Sequence, residues 1–167
     1  MDQPGSHSQL SYTRGSQAKA LLAQTIGEVF DQSVALYPEG EALVVRHQSL
    51  RYTWQQLAEA VDLHARALLA LGLKTGDRLG VWAPNCAQWC ISQFASAKIG
   101  VILVNINPAY RVSELEYVLK QSGCQWLVCA GRSRPRTITP CCKRWHQSWQ
   151  SNRSATCRVS ACRICEV

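Results

Sequence analysis

From Thr25 onward, apolar residues recur at intervals of three and four. Ile26, Val29, Phe30, Val34 and Tyr37 fall on one helical stripe, and Pro38 stops it. Leu57, Ala60, Val61, His64, Leu68 and Leu71 make a second stripe, ended by Gly72. Trp89, Cys90, Phe94 and Ala97 make a third, ended by Gly100, and Leu115, Val118 and Leu119 a fourth, ended by Gly123. A capping residue three positions before Glu or Gln opens each stripe: Thr25-Ile-Gly-Glu28, Thr53-Trp-Gln-Gln56, Asn85-Cys-Ala-Gln88 and Ser113-Glu-Leu-Glu116. The Thr and Ser pairs can satisfy two orphan N–H groups reciprocally, and Asn85 offers a related cap.

Short β-type runs separate the helices. Ala42–Val45 and Leu50–Thr53 flank Arg46–Ser49 and predict a hairpin. Arg78–Trp82, Val101–Val104 and Trp126–Cys129 are each parted from the next by a helix, which is the order of βαβ units on a parallel sheet. These strands are almost wholly apolar, as expected where both faces are covered. The fold class expected is therefore α/β, a partial subdomain with parallel βαβ units and a leading β-hairpin.

Charge divides the chain. Residues 1–130 hold ten Lys/Arg and ten Asp/Glu, whereas residues 131–167 hold eight Lys/Arg and one acid, Glu166, so the net +7 arises after Ala130. The expected organisation is a flexible leader over 1–23, an ordered body over 24–130 and a basic, Cys/Arg-rich, disordered tail over 131–167. No stretch approaches the ~18 uninterrupted apolar residues of a membrane span. The first twenty residues lack an apolar signal core, and Arg14 and Lys19 make a poor presequence, so a cytoplasmic location is expected. Nine cysteines, an odd number without a signal, argue against a disulfide framework.

Candidate chemistry is sparse. Leu71-Gly-Leu-Lys-Thr-Gly-Asp-Arg78 has the composition of a phosphate loop, but Leu73 rather than Gly precedes Lys74, and a helix rather than a strand precedes the loop. It is expected to be a helix end at Gly72 and a Gly76-Asp77 turn. No two glycines lie closer than four residues apart, which excludes a dinucleotide fingerprint. His64 is expected to be a packed or half-exposed histidine, and Glu59 and Asp62 a solvated face. Catalytic, cofactor-binding and metal residues are each expected to be none.

The blocks Gly76-Asp-Arg-Leu-Gly-Val-Trp-Ala-Pro-Asn85, Asn105-Ile-Asn-Pro-Ala-Tyr110 and Glu114-Leu-Glu-Tyr-Val-Leu119, with Tyr52-Thr-Trp-Gln-Gln-Leu57 upstream, resemble the N-terminal region of AMP-dependent acyl-CoA synthetases. The likeness covers roughly residues 24–130 and is nearest to medium-chain fatty-acyl-CoA synthetases. It implies the adenylate-forming fold and a family reaction in which ATP and Mg²⁺ activate a fatty acid as an acyl-adenylate that coenzyme A captures. The resemblance assigns no catalytic role to these blocks. The family's phosphate loop, its Tyr-Gly-x-Thr-Glu segment, its ribose-binding Asp and its catalytic Lys have no counterpart in the chain. An inactive N-terminal fragment is the expectation, with a non-catalytic module that pairs with a full-length synthetase as the alternative. Its exposed sheet is expected to fold marginally and to aggregate through edge strands.

Three readings of residues 131–167 stand. Excess Arg, Ser, Cys and Trp suits translation out of the family's frame. Cys162-Arg-Ile-Cys165 with Cys142 and His146 would make an irregular zinc module. Arg132, Arg134, Arg136, Lys143, Arg144 and Arg153 beside Trp145 and Trp149 would make a nucleic-acid arm, although a specific nucleic-acid partner is not expected.

Overall fold

The computed structural model describes residues 15–16 and 21–129. Capping boxes open the first two long helices. Thr25 Oγ1 accepts the Glu28 N–H at 3.2 Å, and the Glu28 carboxylate accepts the Thr25 N–H at 2.7 Å, starting α1 (Ile26–Leu36). Thr53 and Gln56 repeat the exchange at 3.2 and 3.0 Å, starting α2 (Trp54–Ala70). Between these helices, β1 (Glu41–Val45) and β2 (Leu50–Thr53) form the antiparallel hairpin the sequence predicts. Its turn is a short 3₁₀ segment, Arg46–Gln48, closed by Ser49 in the left-handed region at φ 56°.

Alternation of strand and helix follows. β3 (Arg78–Trp82), α3 (Ala87–Lys98), β4 (Ile102–Ile106), α4 (Val112–Ser122) and β5 (Trp126–Cys129) build a parallel sheet of order β4-β3-β5. Gly72 (φ 91°) and Gly123 (φ 65°) end α2 and α4 in left-handed geometry. The Leu73 N–H then reaches back to Leu68 O, and the Cys124 N–H to Leu119 O, each closing a helix end with a bond spanning five residues.

Central β3 sends alternate side chains to opposite faces. Leu79 and Val81, with Trp126 and Val128 of β5, meet Phe30 of α1, four residues of α2 and Ala95 of α3. Trp82, with Leu127 and Cys129 of β5 and Ile106 of β4, meets Leu115 and Leu119 of α4. Gly80 lies on the α4 side, where an added Cβ would stand 3.0 Å from Ile106 Cδ1 and 3.1 Å from Leu127 Cδ1. The sheet is thus the middle of three layers, with α1, α2 and α3 on one face and α4 on the other.

Four local expectations need correction. Asn85 does not cap α3; Cys86 occupies the cap position without a side-chain bond, because the helix begins one residue later than the pattern implies. Ser113 lies inside α4, whose first turn is closed by Glu114 accepting the Arg111 N–H at 2.8 Å. The inner face of α3 is Ala87, Ser92, Ala95 and Ser96, while Trp89, Cys90 and Phe94 are only half-buried. Small residues line that face because α1 and α2 both press on it. Finally, β4 starts one residue later than expected and runs to Ile106, and it is not covered on both sides: Ile102 is 47% exposed. The tail and most of the leader fall outside the described residues.

Candidate functional site

Parallel sheets bind ligands beyond the carboxyl ends of their strands. Here that end is built by Ala83–Cys86 after β3 and Asn107–Arg111 after β4. The indole N–H of fully buried Trp82 donates to Asn107 O at 3.0 Å and ties the two loops together. Asn107 Oδ1 accepts the Ala109 N–H at 2.9 Å, and Asn107 O also accepts the Tyr110 N–H at 3.0 Å. The Asn-Pro-Ala-Tyr block is therefore a self-satisfied turn. Its groups are neutral or already bonded, and no acid, base or nucleophile pair converges there.

Beside this end sits a contact with no local sequence signal. Gln48, in the hairpin turn, accepts the Ala87 N–H through Oε1 at 2.7 Å and donates through Nε2 to Gln88 Oε1 at 2.9 Å. An amide from 39 residues upstream does for α3 what Asn85 was expected to do. It also fixes the loop that follows β3.

The Lys74–Asp77 loop lies at the opposite, amino end of β3, and three of its four amides are bonded within the fold. Lys74 N–H bonds Asp77 Oδ2 at 2.7 Å, Asp77 N–H bonds Lys74 O at 2.9 Å, and Gly76 N–H bonds Gly100 O at 2.8 Å. Phosphate binding at such a loop needs amides aimed outward at one point. The Lys74–Asp77 run is therefore a turn leading into β3, as its sequence predicts.

His64 and Ser92 meet between α2 and α3, with Ser92 Oγ 3.2 Å from His64 Nε2. The pair has the atoms of a nucleophile and a base, but Ser92 is fully buried and out of reach of a substrate. Burial holds the imidazole below its ordinary pKa, since it disfavours the charged ring. It packs, as expected. Cys90 is half-buried, and burial first, then the nearby Cys86, push its thiol up, away from the reactive thiolate. Cys124 is buried and likewise raised by burial, with the Ser122 hydroxyl and Arg78 opposing.

The remaining charged cluster is a clamp. Lys98 Nζ on α3 meets Asp31 Oδ1 of α1 at 2.8 Å and Asp62 Oδ1 of α2 at 2.6 Å, and lies 5.8 Å from the Phe30 ring centroid. Burial opposes its charge, and the hydrogen bonds and charges of Asp31 and Asp62 outweigh that and raise its pKa. Asp62 is therefore a clamp residue rather than part of a plain solvated face. Among the described residues no three potential ligands group to hold a metal ion, and no helix is long and apolar enough to cross a membrane. The zinc candidates Cys142, His146, Cys162 and Cys165 and the basic residues from Arg132 to Arg153 lie outside the described residues.

The chain is 50% identical over 119 residues to the human "Medium-chain acyl-CoA ligase ACSF2, mitochondrial", which covers 71% of this chain and 19% of that protein. It is 38% identical over 108 residues to the Bacillus subtilis "Putative acyl-CoA synthetase YngI", covering 65% and 20%. The chain thus spans about a fifth of the length of the curated relatives it matches. The N-terminal domain of FACL13 from Mycobacterium tuberculosis shares the fold with a TM-score of 0.69 at 24% identity, over 81% of this chain and 33% of that one. The N-terminal subdomain of NpsA from Klebsiella oxytoca, solved with anthranilyl-AMSN, gives 0.59 at 24% identity, over 63% and 27%. The profile described as "AMP-binding enzyme" matches residues 30–163, and the chain belongs to that family, in the N-terminal region of its acyl-CoA synthetases.

Proposed function

We propose that this chain supplies the leading α/β scaffold of a medium-chain fatty-acyl-CoA ligase and does not catalyse on its own. The carrying observation is the 50% identity to the human medium-chain ligase across a stretch that is 19% of that protein. In the whole ligase, ATP and Mg²⁺ would activate the fatty acid and coenzyme A would take the acyl group. That chemistry requires cations and donors aimed at one phosphorus and one carboxylate. In the loop with the right composition three of four amides are already bonded, and Lys98 is held by two carboxylates, which supports the reading.

Two measurements test the two halves of this reading. Residues 24–130 are grafted over the matching stretch of the human ligase, and octanoyl-CoA formation is followed. The chimera is expected to keep most of the activity, and a folded but dead chimera overturns the scaffold role. The isolated chain with octanoate, ATP, Mg²⁺ and coenzyme A is expected to release neither AMP nor octanoyl-CoA. Turnover by the purified chain overturns its inactivity.

A further inference from the structure

Two cysteines flank the first turn of α3. Cys86 O accepts the Trp89 N–H at 3.2 Å and the Cys90 N–H at 3.5 Å, so one helical turn separates the two residues. Both are free thiols and both are half-buried. Cys86 holds the cap position, yet its side chain makes no capping bond. It packs against the three-helix core, whereas Cys90 belongs to neither core. The two thiols also sense one another: after burial, the charge of Cys86 is what raises the Cys90 pKa.

Spacing decides what such a pair holds. Residues four apart along a helix have Cβ atoms about 5–6 Å apart. A disulfide requires about 3.5–4.5 Å. The turn would have to unwind to close an S–S bond, and it is held wound from outside. Gln48 accepts the Ala87 N–H at 2.7 Å and donates to Gln88 Oε1 at 2.9 Å. Two sulfurs too far apart to bond each other are spaced for one large thiophilic atom between them. Zinc is a poor occupant, since among the described residues no third ligand joins the pair to build its tetrahedron. Trivalent arsenic needs only the two sulfurs.

We propose that Cys86 and Cys90 form a dithiol site that takes a trivalent arsenical. With an arsenoxide, the arsenic–oxygen bonding gives way to two arsenic–sulfur bonds. Both thiol protons leave with the oxygen as water, and arsenic stays trivalent, so no oxidant is required. The side chains reach the arsenic by rotation about χ1, and α3 keeps its first turn. This inference is independent of the ligase reading.

Phenylarsine oxide, added to the full reduced chain with excess glutathione, tests it, because the monothiol displaces any adduct held by one sulfur. Free thiols are then alkylated and the chain is cut with trypsin. The peptide 79–98 holds Cys86 and Cys90 and no other cysteine, and the peptide 121–132 holds Cys124 and Cys129, both buried in the fold. Peptide 79–98 is expected to carry one arsenic and no alkyl group, and peptide 121–132 no arsenic. Cys86→Ser and Cys90→Ser are each expected to weaken binding about a hundredfold, as when one of two tethered contacts is lost. The wild-type chain is expected to hold the arsenical at least about tenfold more tightly than the synthetic peptide 79–98, because the fold presents both thiols in advance. This comparison needs no substitution. Absence of arsenic from peptide 79–98 overturns the proposal, as does binding that survives in either serine variant. Equal labelling of the two peptides, or equal affinity of chain and synthetic peptide, also overturns it, since the fold would then build no site.

Discussion

The two faces of the sheet are built by different means. On one face, three helices meet, and polar groups fasten them to one another and to the hairpin: Lys98 to Asp31 and Asp62, His64 to Ser92, Gln48 of the hairpin turn to Ala87. Phe30 stacks on Phe94 with ring centroids 4.5 Å apart and tilts against Trp54 at 5.9 Å. On the other face a single helix, α4, covers the strands, and one fully buried indole, Trp82, is the largest side chain beneath it. The first face spreads its stability over many contacts that cross the chain. The second concentrates it in a few residues close to the strands they cover. Concentration predicts fragility at a point, and distribution predicts graded losses.

Removing the indole is the hardest test of that difference. Trp82→Ala empties the α4 face and breaks the bond to Asn107, and is expected to cost about 3–5 kcal/mol. A loss of this size is a large part of the ~5–15 kcal/mol that holds a typical domain together. Urea unfolding followed by far-ultraviolet circular dichroism measures it. Val61→Ala, on the distributed face, is expected to cost clearly less, and an equal or larger loss there would break the comparison.

The opposite operation, adding volume, probes the same face. Gly80→Ala drives a methyl between Ile106 and Leu127, where the free distances are 3.0 and 3.1 Å. Neither neighbour can withdraw far, because α4 lies behind both. The expected cost is about 1–3 kcal/mol. A neutral or stabilising result would show that the single-helix face is looser than its burial implies.

On the distributed face, Gln48→Ala is expected to cost about 1 kcal/mol, the usual worth of a helix cap. Its signature is local. The Ala87 amide should exchange with solvent much faster, while amides in the middle of α2 keep their protection. Uniform acceleration across α2 and α3 would mean that Gln48 supports the whole helical layer rather than one helix end.

The same contrast explains what could be read from the chain. Thr25 and Thr53 cap helices whose partners, Glu28 and Gln56, lie three residues away, so their pattern is complete in a short window. The α4 face is similarly local: Leu115 and Leu119 show their stripe, and Trp82 sits in a plainly apolar strand. Gln48 and Ala87 are 39 residues apart, and Ser92 and His64 are 28 apart. No short window contains both partners, and Ser92 reads as polar until α2 and α1 bury it. Asn85 looked like a cap because only local partners were considered, and a distant amide took the position. The turn at Gly76-Asp77 was legible, since Leu73 stands where a phosphate loop needs Gly and a helix precedes the run. The place of β4 was not legible. Its apolar sequence predicts coverage on both sides, and only the strand order puts it at the end of the described sheet.

The smallest expected effect is the most specific to the distributed face. Burial lowers the pKa of His64 in the fold. The unfolded chain therefore takes up a proton near the ordinary value of about 6.5, while the folded imidazole resists it. In that window the unfolded state binds more protons, so stability rises with pH. The contribution is fully present above about pH 6.5, declines as pH falls through the unfolded value, and levels off below the depressed folded value. The slope must be less than the ~1.4 kcal/mol per pH unit that one whole proton would give, because the ring is only partly withdrawn from water. Urea midpoints between pH 5 and pH 8, for the wild type and His64→Gln, isolate this histidine from the other three in the chain. The wild type is expected to lose stability toward pH 5 more steeply than the variant. Parallel profiles would mean that the α2–α3 contact accepts a proton at no cost, and that water reaches between the helices of the face described as the more tightly fastened.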